Sequence, residues 1–440
     1  MNYASQVKET LLSDISDMAK FPWLFSTYPQ SDFTRVRKRD FSSLLHLCIC
    51  MEGGTLKHEL LKYFDFDKHT MSTSAFYQQR CKLLPETFPF LLQQFNSHYP
   101  FSCYKGRYQL LACDGSSFSF TKNPKDPDSY FAPDGKTTNG YNQIHIVALF
   151  DLLSKRYCDA VIQPIRKKNE FQALTSLIER YRNEEAIPIY IADRGFHAYN
   201  VFAHAIEQNA FFLIRAKDLN MQRLLGKDFP DTDEFDLTVD RILSRSNAKK
   251  KRLFPDLEEQ YRFISSEVTF DYIEHKSEIE YPITLRVIRI KVAECIYENI
   301  ITNLPKEEFT TDEIKVLYSM RWGIETSFRE LKHILGATNF HSKKRVYIEQ
   351  EIWARLILYN FCTIITTHVV VKKKDRKHKY QVNYTVAFNA CHYLLRLHNG
   401  EKPPNIIGLI EQNILPIRPD RNFARQHRFR VPASFTYRFS

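Results

Sequence analysis

The sequence lacks any apolar run of the length that a membrane-crossing helix requires. Its first residues, MNYASQVKETLLSD, have no signal-peptide core. Cysteines are scattered along the chain, and no C-x-x-C pair with a matching second pair occurs, so neither a zinc site nor a disulfide framework is expected. These absences predict a cytoplasmic protein that does not associate with a membrane.

The length and charge of the chain limit what it can be. Its 440 residues are too many for one ordinary core, so two or three domains are expected. Hydrophobic residues make up 43% of the chain, which is ample material for packed cores. The formal net charge of +11 predicts a polyanionic partner, although charge alone does not separate nucleic acid from an anionic membrane surface.

The most informative stretch covers residues 318–332 and has the sequence YSMRWGIETSFRELK. Apolar residues recur there at steps of three and four, which predicts one amphipathic helix over residues 310–335. A second stripe of this helix holds Tyr318, Arg321, Glu325 and Lys332. Such a stripe suits a metal-assisted reaction at a phosphate, because the carboxylate can bind a divalent ion and the cations can bind the phosphodiester. The alternative is a solvated helix face with ion pairs.

Two aspartates lie upstream next to predicted strands. Asp114 lies within the apolar strand 108–120, and Asp193 directly follows the short strand 187–192. An aspartate in a buried strand is costly unless it is paired or binds a metal, whereas a turn aspartate before a glycine is the alternative for Asp114. The same β-branched and helical patterns predict strands at 143–150, 156–162 and 211–216 and helices at 168–182 and 198–208.

The spacing of Tyr318, Arg321, Glu325 and Lys332 resembles the Y-R-E-K signature of the insertion-sequence-4 family of DDE transposases. Trp322 follows the arginine, as it does in several relatives. The local sequences ACDGSS around the first aspartate and ADRGF around the second also resemble this family. The resemblance covers residues 106–217 and 300–365 and is weak at both termini.

The resemblance implies an α/β fold with a ribonuclease-H-like catalytic core, in which the first and fourth strands are neighbours. Asp114, Asp193 and Glu325 are then expected to converge in one cleft. The predicted organisation is a helical N-terminal DNA-binding domain at 1–105, the first part of the core at 106–217 and a β-rich insertion at 218–305. The second part of the core with C-terminal helices follows at 306–400, and a basic C-terminal tail at 401–440.

The resemblance also implies roles for the site residues. Asp114, Asp193 and Glu325 would be the catalytic ligands of two Mg²⁺ ions, with Mn²⁺ as a substitute. Tyr318, Arg321 and Lys332 would bind DNA phosphates. Trp322 would stack on an unpaired base, with core packing as its alternative, and Arg194 would bind a phosphate or pair with an acid.

The implied partners are double-stranded DNA, as terminal inverted repeats and target DNA, and a second copy of the chain in a homodimer on that DNA. The glycine turn Gly53–Gly54 between helical patterns, with Gln78, Gln79 and Arg80 expected on a polar side, fits either a helix-turn-helix reader of a groove or an ordinary bundle. The basic segments 249–252 and 372–379 and the arginine-rich residues after 417 are either DNA contacts or solvated segments.

The sequence therefore predicts a cut-and-paste transposase that binds terminal inverted repeats and carries out Mg²⁺-dependent cleavage and strand transfer at the bacterial nucleoid. A catalytically inactive, transposon-derived DNA-binding protein is the alternative. A ribonuclease-H-like nuclease that cuts without joining is less suitable, because it leaves the N-terminal region and the Y-R-E-K stripe without a role.

Overall fold

The computed structural model of the chain describes residues 2–35, 40–133, 140–246, 260–294, 296–369, 380–398 and 401–417. The predicted basic segments at 249–252 and 372–379 lie outside these ranges, as does the arginine-rich stretch from 418 onward. Their predicted DNA contacts therefore stay predictions.

One large mixed sheet forms the centre of the molecule. Its first strands are β1 (Tyr108–Phe120), β2 (Tyr130–Phe131), β3 (Tyr141–Asp151), β4 (Arg156–Pro164), β5 (Ile187–Ala192) and β6 (Phe211–Ala216). Strand β1 pairs antiparallel with β3 and parallel with β5, while β5 pairs parallel with β6. Strand β4 pairs antiparallel with β3. The order β4-β3-β1-β5-β6 is that of a ribonuclease-H-like core, so the predicted α/β fold class is confirmed.

The β-rich segment between the two parts of this core extends the same sheet. It contributes β7 (Phe235–Ser244), β8 (Tyr261–Phe263), β9 (Glu280–Ala293) and β10 (Ile296–Thr302). Strand β10 pairs antiparallel with β6, and the sheet continues through β9 and β7 to β8. A separate small pair, β11 (Tyr380–Val382) and β12 (Ile414–Pro416), lies near the C-terminal helices.

Helices cover both faces of the sheet. The first group is α1 (Tyr3–Lys20), α2 (Phe41–Cys50), α3 (Leu56–Tyr63), α4 (Thr73–Arg80), α5 (Thr87–Ser97), α6 (Glu170–Arg180), α7 (Tyr199–Glu207) and α8 (Asp218–Leu225). The second group is α9 (Thr311–Met320), α10 (Trp322–His333), α11 (Arg345–His368), α12 (Tyr384–Arg396) and α13 (Ile406–Gln412). None of the helices in the described ranges is long and apolar enough to cross a membrane.

The alternation of side chains along β1 sets which helices cover each face. Leu110 and Ala112 join the core cluster that contains α11 and the N-terminal helices, whereas Leu111 and Cys113 join the cluster around α6 and α7. Helix α11 is buried along nearly its whole length and contacts α1, α2, α5 and α12. The N-terminal helices therefore share one continuous core with the sheet.

The helix predicted over residues 310–335 is divided in two at Arg321, which ends α9 and precedes α10. The Arg321 amide donates to the Tyr318 carbonyl, and the Ile324 amide donates to the Arg321 carbonyl. These three-residue hydrogen bonds tighten the turn locally, although Arg321 keeps helical dihedral angles. Gly323, two residues further on, packs closely against Leu152, since an added Cβ at this glycine would lie 3.0 Å from the Leu152 side chain.

The prediction that Arg80 lies on the polar side of its helix is wrong. Its side chain is 0% exposed, with Nε donating to Gln350 at 2.7 Å and Nη1 donating to Glu351 at 3.0 Å. Nη2 donates to the Tyr347 carbonyl. Arg80 thus ties α4 to α11, and a buried guanidinium needs such partners because desolvating a charge is costly.

We expect Arg80→Ala to lower the free energy of unfolding by about 3–5 kcal/mol, because it removes the guanidinium that pairs with the buried Glu351 and leaves that carboxylate, among the described residues, with only the contacts of His341. Urea unfolding checks this. Lys20→Ala is the control, since the Lys20–Asp17 pair is exposed and should be worth less than about 1 kcal/mol. A loss at Arg80 as small as that at Lys20 would contradict the structural role.

Candidate active site

Asp114 lies in the middle of β1, and its carboxylate is largely buried. Burial raises the pKa of this carboxyl to about 6, and the nearby Glu325 and Asp193 add to the rise. The Gly115 amide, which donates to Oδ1 at 2.8 Å, and the Arg321 guanidinium oppose it. Asp114 is therefore a carboxylate that lacks sufficient positive charge nearby and would gain from a cation.

The register of the sheet brings the two aspartates together. Cys113 on β1 pairs with Ala192, the last residue of the parallel strand β5. Asp114 and Asp193 each come directly after one member of this pair, so they are neighbours across the two strands. Asp193 precedes a 3₁₀ turn at Arg194–Phe196 and receives a long hydrogen bond of 3.4 Å from the Tyr318 hydroxyl. Burial raises the pKa of Tyr318 to about 12, so the phenol stays protonated and able to donate.

Arg321 links the Y-R-E-K stripe of α9 and α10 to strand β1. Its Nη1 atom lies 2.9 Å from Glu325 Oε1 and 3.9 Å from Asp114 Oδ2. These two oxygens cannot be further apart than the sum of the distances, which is below the roughly 10 Å beyond which carboxylates cannot share a two-ion site. Asp114 therefore lies close to both Asp193 and Glu325.

Asp114, Asp193 and Glu325 have the oxygen donors that a divalent metal ion requires, but their side chains are not arranged around a common point. Within the described ranges, no three His, Cys, Asp or Glu side chains are close enough to hold a metal ion together. The Arg321 guanidinium lies between Asp114 and Glu325 and supplies positive charge there. The oxygen donors nevertheless suit a hard divalent ion, and a cation beside Asp114 would oppose the burial that raises the pKa of its carboxyl.

The remaining predicted DNA-binding residues surround this cluster. Lys332 donates to the Ser116 hydroxyl at 2.7 Å, and burial lowers the pKa of its ammonium. Trp322 is 53% exposed beside Arg321, so the alternative of core packing is wrong. Arg194 is exposed at the turn after β5. Glu330, the other acid of α10, accepts a hydrogen bond from the Tyr359 hydroxyl on α11.

Sequence reasoning missed polar residues near Asp114 on both faces of the sheet. Ser116 lies two positions further along β1, and strand periodicity alone could have placed it on the same face. His145 lies on the opposite face, with Ser117 Oγ 3.0 Å and Glu170 Oε1 2.9 Å from its ring nitrogens. An added Cβ on Gly115 would lie 2.6 Å from His145 Nε2, so this position requires glycine. No local signal predicts these contacts, because they depend on the β1–β3 register.

The raised pKa of Asp114 predicts how Asp114→Asn acts on stability. The folded-state pKa of about 6 lies above the roughly 3.9 of an unfolded chain, so stability is lost as pH rises between these values. Without metal, Asp114→Asn should raise the free energy of unfolding at pH 7.5 by roughly 1–3 kcal/mol and change it little at pH 4. Urea unfolding at both pH values measures this.

A suitable control for that experiment is Asp159→Asn. Asp159 is a buried carboxylate that accepts two hydrogen bonds from Arg180, so its replacement should destabilise the protein at pH 7.5. A loss of stability at pH 7.5 in Asp114→Asn, like that in the control, would show that Asp114 is already satisfied within the protein.

Comparison with known proteins identifies the family. A family profile described as "Transposase DDE domain" matches residues 105–361. Over 129 residues the chain is 29% identical to "Transposase InsG for insertion sequence element IS4" of Escherichia coli (strain K12). That alignment covers 27% of this chain and only 28% of that protein.

Among solved structures, the chain is similar to one described as "Cryo-EM structure of piggyBac transposase synaptic complex with hairpin DNA". The TM-score is 0.46 with 11% identity, covering 96% of this chain and 87% of that one. The family profile, in contrast, extends over more than half of the chain and contains Asp114, Asp193 and Glu325. The chain therefore belongs to the transposase DDE domain family.

Proposed function

We propose that this protein is a cut-and-paste transposase that binds terminal inverted repeats, cleaves DNA strands at their ends and joins the 3′ ends to target DNA. The observation that carries this proposal is the reach of Arg321 to both Asp114 and Glu325, beside the neighbouring Asp193. Acids far apart in sequence thus lie near the middle of β1 and the carboxyl end of β5. The basic net charge of +11 supports a DNA partner.

Asp114, Asp193 and Glu325 are the residues that would hold two Mg²⁺ ions, with Mn²⁺ as a substitute. Bound there, such ions supply activation of a water or a 3′-hydroxyl and stabilisation of the departing oxygen. The protein's own contribution would be to bring Asp114 beside Asp193 and, through Arg321, near Glu325. The pKa of Asp114, near 6, leaves this group mostly ionised and available as a ligand above neutral pH.

The cations and the aromatic groups of the stripe would bind the DNA. Arg321 carries a planar guanidinium of the kind that binds a phosphate through two hydrogen bonds, but it is only 5% exposed and pairs with Glu325, so a phosphate would have to reach it inside the cleft. Lys332 would bind another phosphate oxygen, and Tyr318 would donate from its protonated phenol. Trp322 is exposed and available to stack on an unpaired base, and Arg194 is exposed beside the second aspartate.

Recognition of the repeats is assigned in this proposal to the helical region at 1–105, and synapsis of two ends to a homodimer on the DNA. Gln78 is exposed and Gln79 is partly exposed on α4, so both remain candidates for contacts with DNA. Arg80 is excluded from that surface by its burial. A transposase of this kind would act in the cytoplasm at the nucleoid.

The alternative function is that of a catalytically inactive, transposon-derived DNA-binding protein. Its support is the 2.9 Å ion pair between Arg321 and Glu325, together with the absence of a metal-holding cluster among the described residues. Both proteins would bind repeat ends, and only the transposase would cut and join them.

Strand transfer with Mg²⁺ and a precleaved repeat end separates the two functions. Asp114→Ala, Asp193→Ala and Glu325→Ala should each abolish nicking and joining while repeat binding survives, because affinity comes mainly from phosphate and groove contacts. For Glu325 the matched comparison is Glu325→Gln against Glu330→Gln, two acids of the same helix, of which only the first belongs to the cluster. Substantial joining by any alanine variant would remove that residue from the set, and an inactive wild type would favour the alternative.

Replacing the cations tests the phosphate contacts. Arg321→Ala and Lys332→Ala should each weaken binding of the cleaved end and flatten its salt dependence by about one unit of slope. Arg321→Lys should also be impaired, because lysine cannot reproduce a bidentate grip on phosphate. If Arg321 merely pairs with Glu325 to support the fold, the variants would lose thermal stability while the plots of affinity against salt stay parallel to that of wild type.

A further inference from the structure

Strand β1 carries a row of side chains that face the Y-R-E-K helices. Asp114, Ser116 and Phe118 are separated by two residues each, so they lie on one face of the strand. Arg321 lies at the first of these, with Nη1 3.9 Å from Asp114. Lys332 lies at the other two, with Nζ 2.7 Å from Ser116 Oγ and 4.9 Å from the centre of the Phe118 ring. Both cations of the Y-R-E-K signature therefore contact this row of side chains. The Ser116 hydroxyl and the Phe118 ring, which hold the Lys332 ammonium, are called the seat of Lys332 below.

The seat of Lys332 contains no negative charge. Among the described residues, no carboxylate lies within 4.0 Å of its Nζ atom, and the ammonium is instead held by a hydroxyl and an aromatic face. A partly buried cation without a counter-ion leaves donors free for an anion. Neighbouring side chains on one face of a strand are roughly 7 Å apart. An anion bound by Lys332 at Ser116 would therefore lie close to Asp114.

We propose that Ser116 is a positioning residue for strand transfer: its hydroxyl accepts a hydrogen bond from Lys332 and thereby fixes where a DNA phosphate is held relative to Asp114. This inference rests on the proposed function, because the anion is taken to be a phosphodiester of the cleaved end. Ser116 acts through Lys332 and needs no contact with the metal ions. Lysine has four flexible carbons, so a fixed hydroxyl is what restricts the ammonium to one place.

The neighbouring residue Ser117 is a matched control. It has the same side chain one position further along β1, but it lies on the opposite face and is hydrogen-bonded to His145. Ser116→Ala and Ser117→Ala remove the same atom from the same strand. Only the first touches the seat of Lys332.

The test compares strand-transfer kinetics and end binding of wild type, Ser116→Ala, Ser116→Thr, Ser117→Ala, Lys332→Ala and the double variant Ser116→Ala/Lys332→Ala. Ser116→Ala should lower the joining rate at saturating DNA roughly tenfold, because a misplaced phosphate reacts slowly. Its salt slope should match that of wild type, since the charge of Lys332 remains. Ser116→Thr should restore the rate, and Ser117→Ala should stay within about twofold of wild type.

The double variant decides whether Ser116 acts through Lys332. It should join DNA no more slowly than Lys332→Ala alone, because the hydroxyl has nothing left to position. Multiplied losses in the double variant would overturn the proposal. So would a Ser116→Ala rate within about twofold of wild type, or equal losses in Ser116→Ala and Ser117→Ala.

A measurement without DNA separates this proposal from the proposed function. The ¹⁵Nζ resonance of Lys332, assigned with Lys332→Ala, is followed during titration with inorganic phosphate. It should shift in wild type and in Ser117→Ala, and respond weakly in Ser116→Ala. An inactive wild type that shows this pattern would reject strand transfer and keep the anion seat, whereas an active wild type without any response would overturn the seat.

Discussion

The burial of the Asp114 carboxylate is the constraint on which the rest of the site depends. A strand in the centre of a sheet is desolvated, so an acid placed there is held with a pKa well above its usual range. The groups around Asp114 either oppose or increase this rise in its pKa. The Gly115 amide and Arg321 supply partial compensation, while Glu325 and Asp193 add negative charge. Such a cluster is unfavourable for stability and favourable for binding cations.

The scaffold holds this arrangement through packing and buried polar contacts away from the site. Helix α11 is almost entirely buried and connects the N-terminal helices to the face of the sheet that carries Asp114. The contacts of Arg80 with Gln350 and Glu351 fix α4 to the same helix. The N-terminal helices therefore pack into the same core as the sheet.

The order of strands and helices in the core could be predicted from hydrophobic periodicity, and three strands match their predicted bounds: Tyr108–Phe120, Ile187–Ala192 and Phe211–Ala216. The first half of Tyr108–Phe120 and the whole of Ile187–Ala192 are nearly continuous apolar runs, because helices cover both faces of the sheet there. The proximity of Asp114 and Asp193 followed from the family resemblance, which supplied the strand order that periodicity alone does not.

Long-range contacts account for what the sequence could not show. Arg80 has the pattern of an exposed helix residue, and only its partners on α11, far along the chain, explain its burial. The division of the predicted helix at Arg321 lies beside the close contact of Gly323 with Leu152, which no local pattern reveals. The seat of Lys332 on Ser116 likewise requires the packing of α10 against β1.

Binding of Mn²⁺ to the protein with a precleaved repeat end tests the central claim most directly. Electron paramagnetic resonance can count the bound ions, and the account predicts about two per protomer, with binding lost in Asp114→Ala and kept in Glu330→Gln. DNA binding should be similar in all of these proteins. A wild-type protein that binds the DNA end and holds no Mn²⁺ at millimolar concentration would contradict the assignment of Asp114, Asp193 and Glu325 as metal ligands.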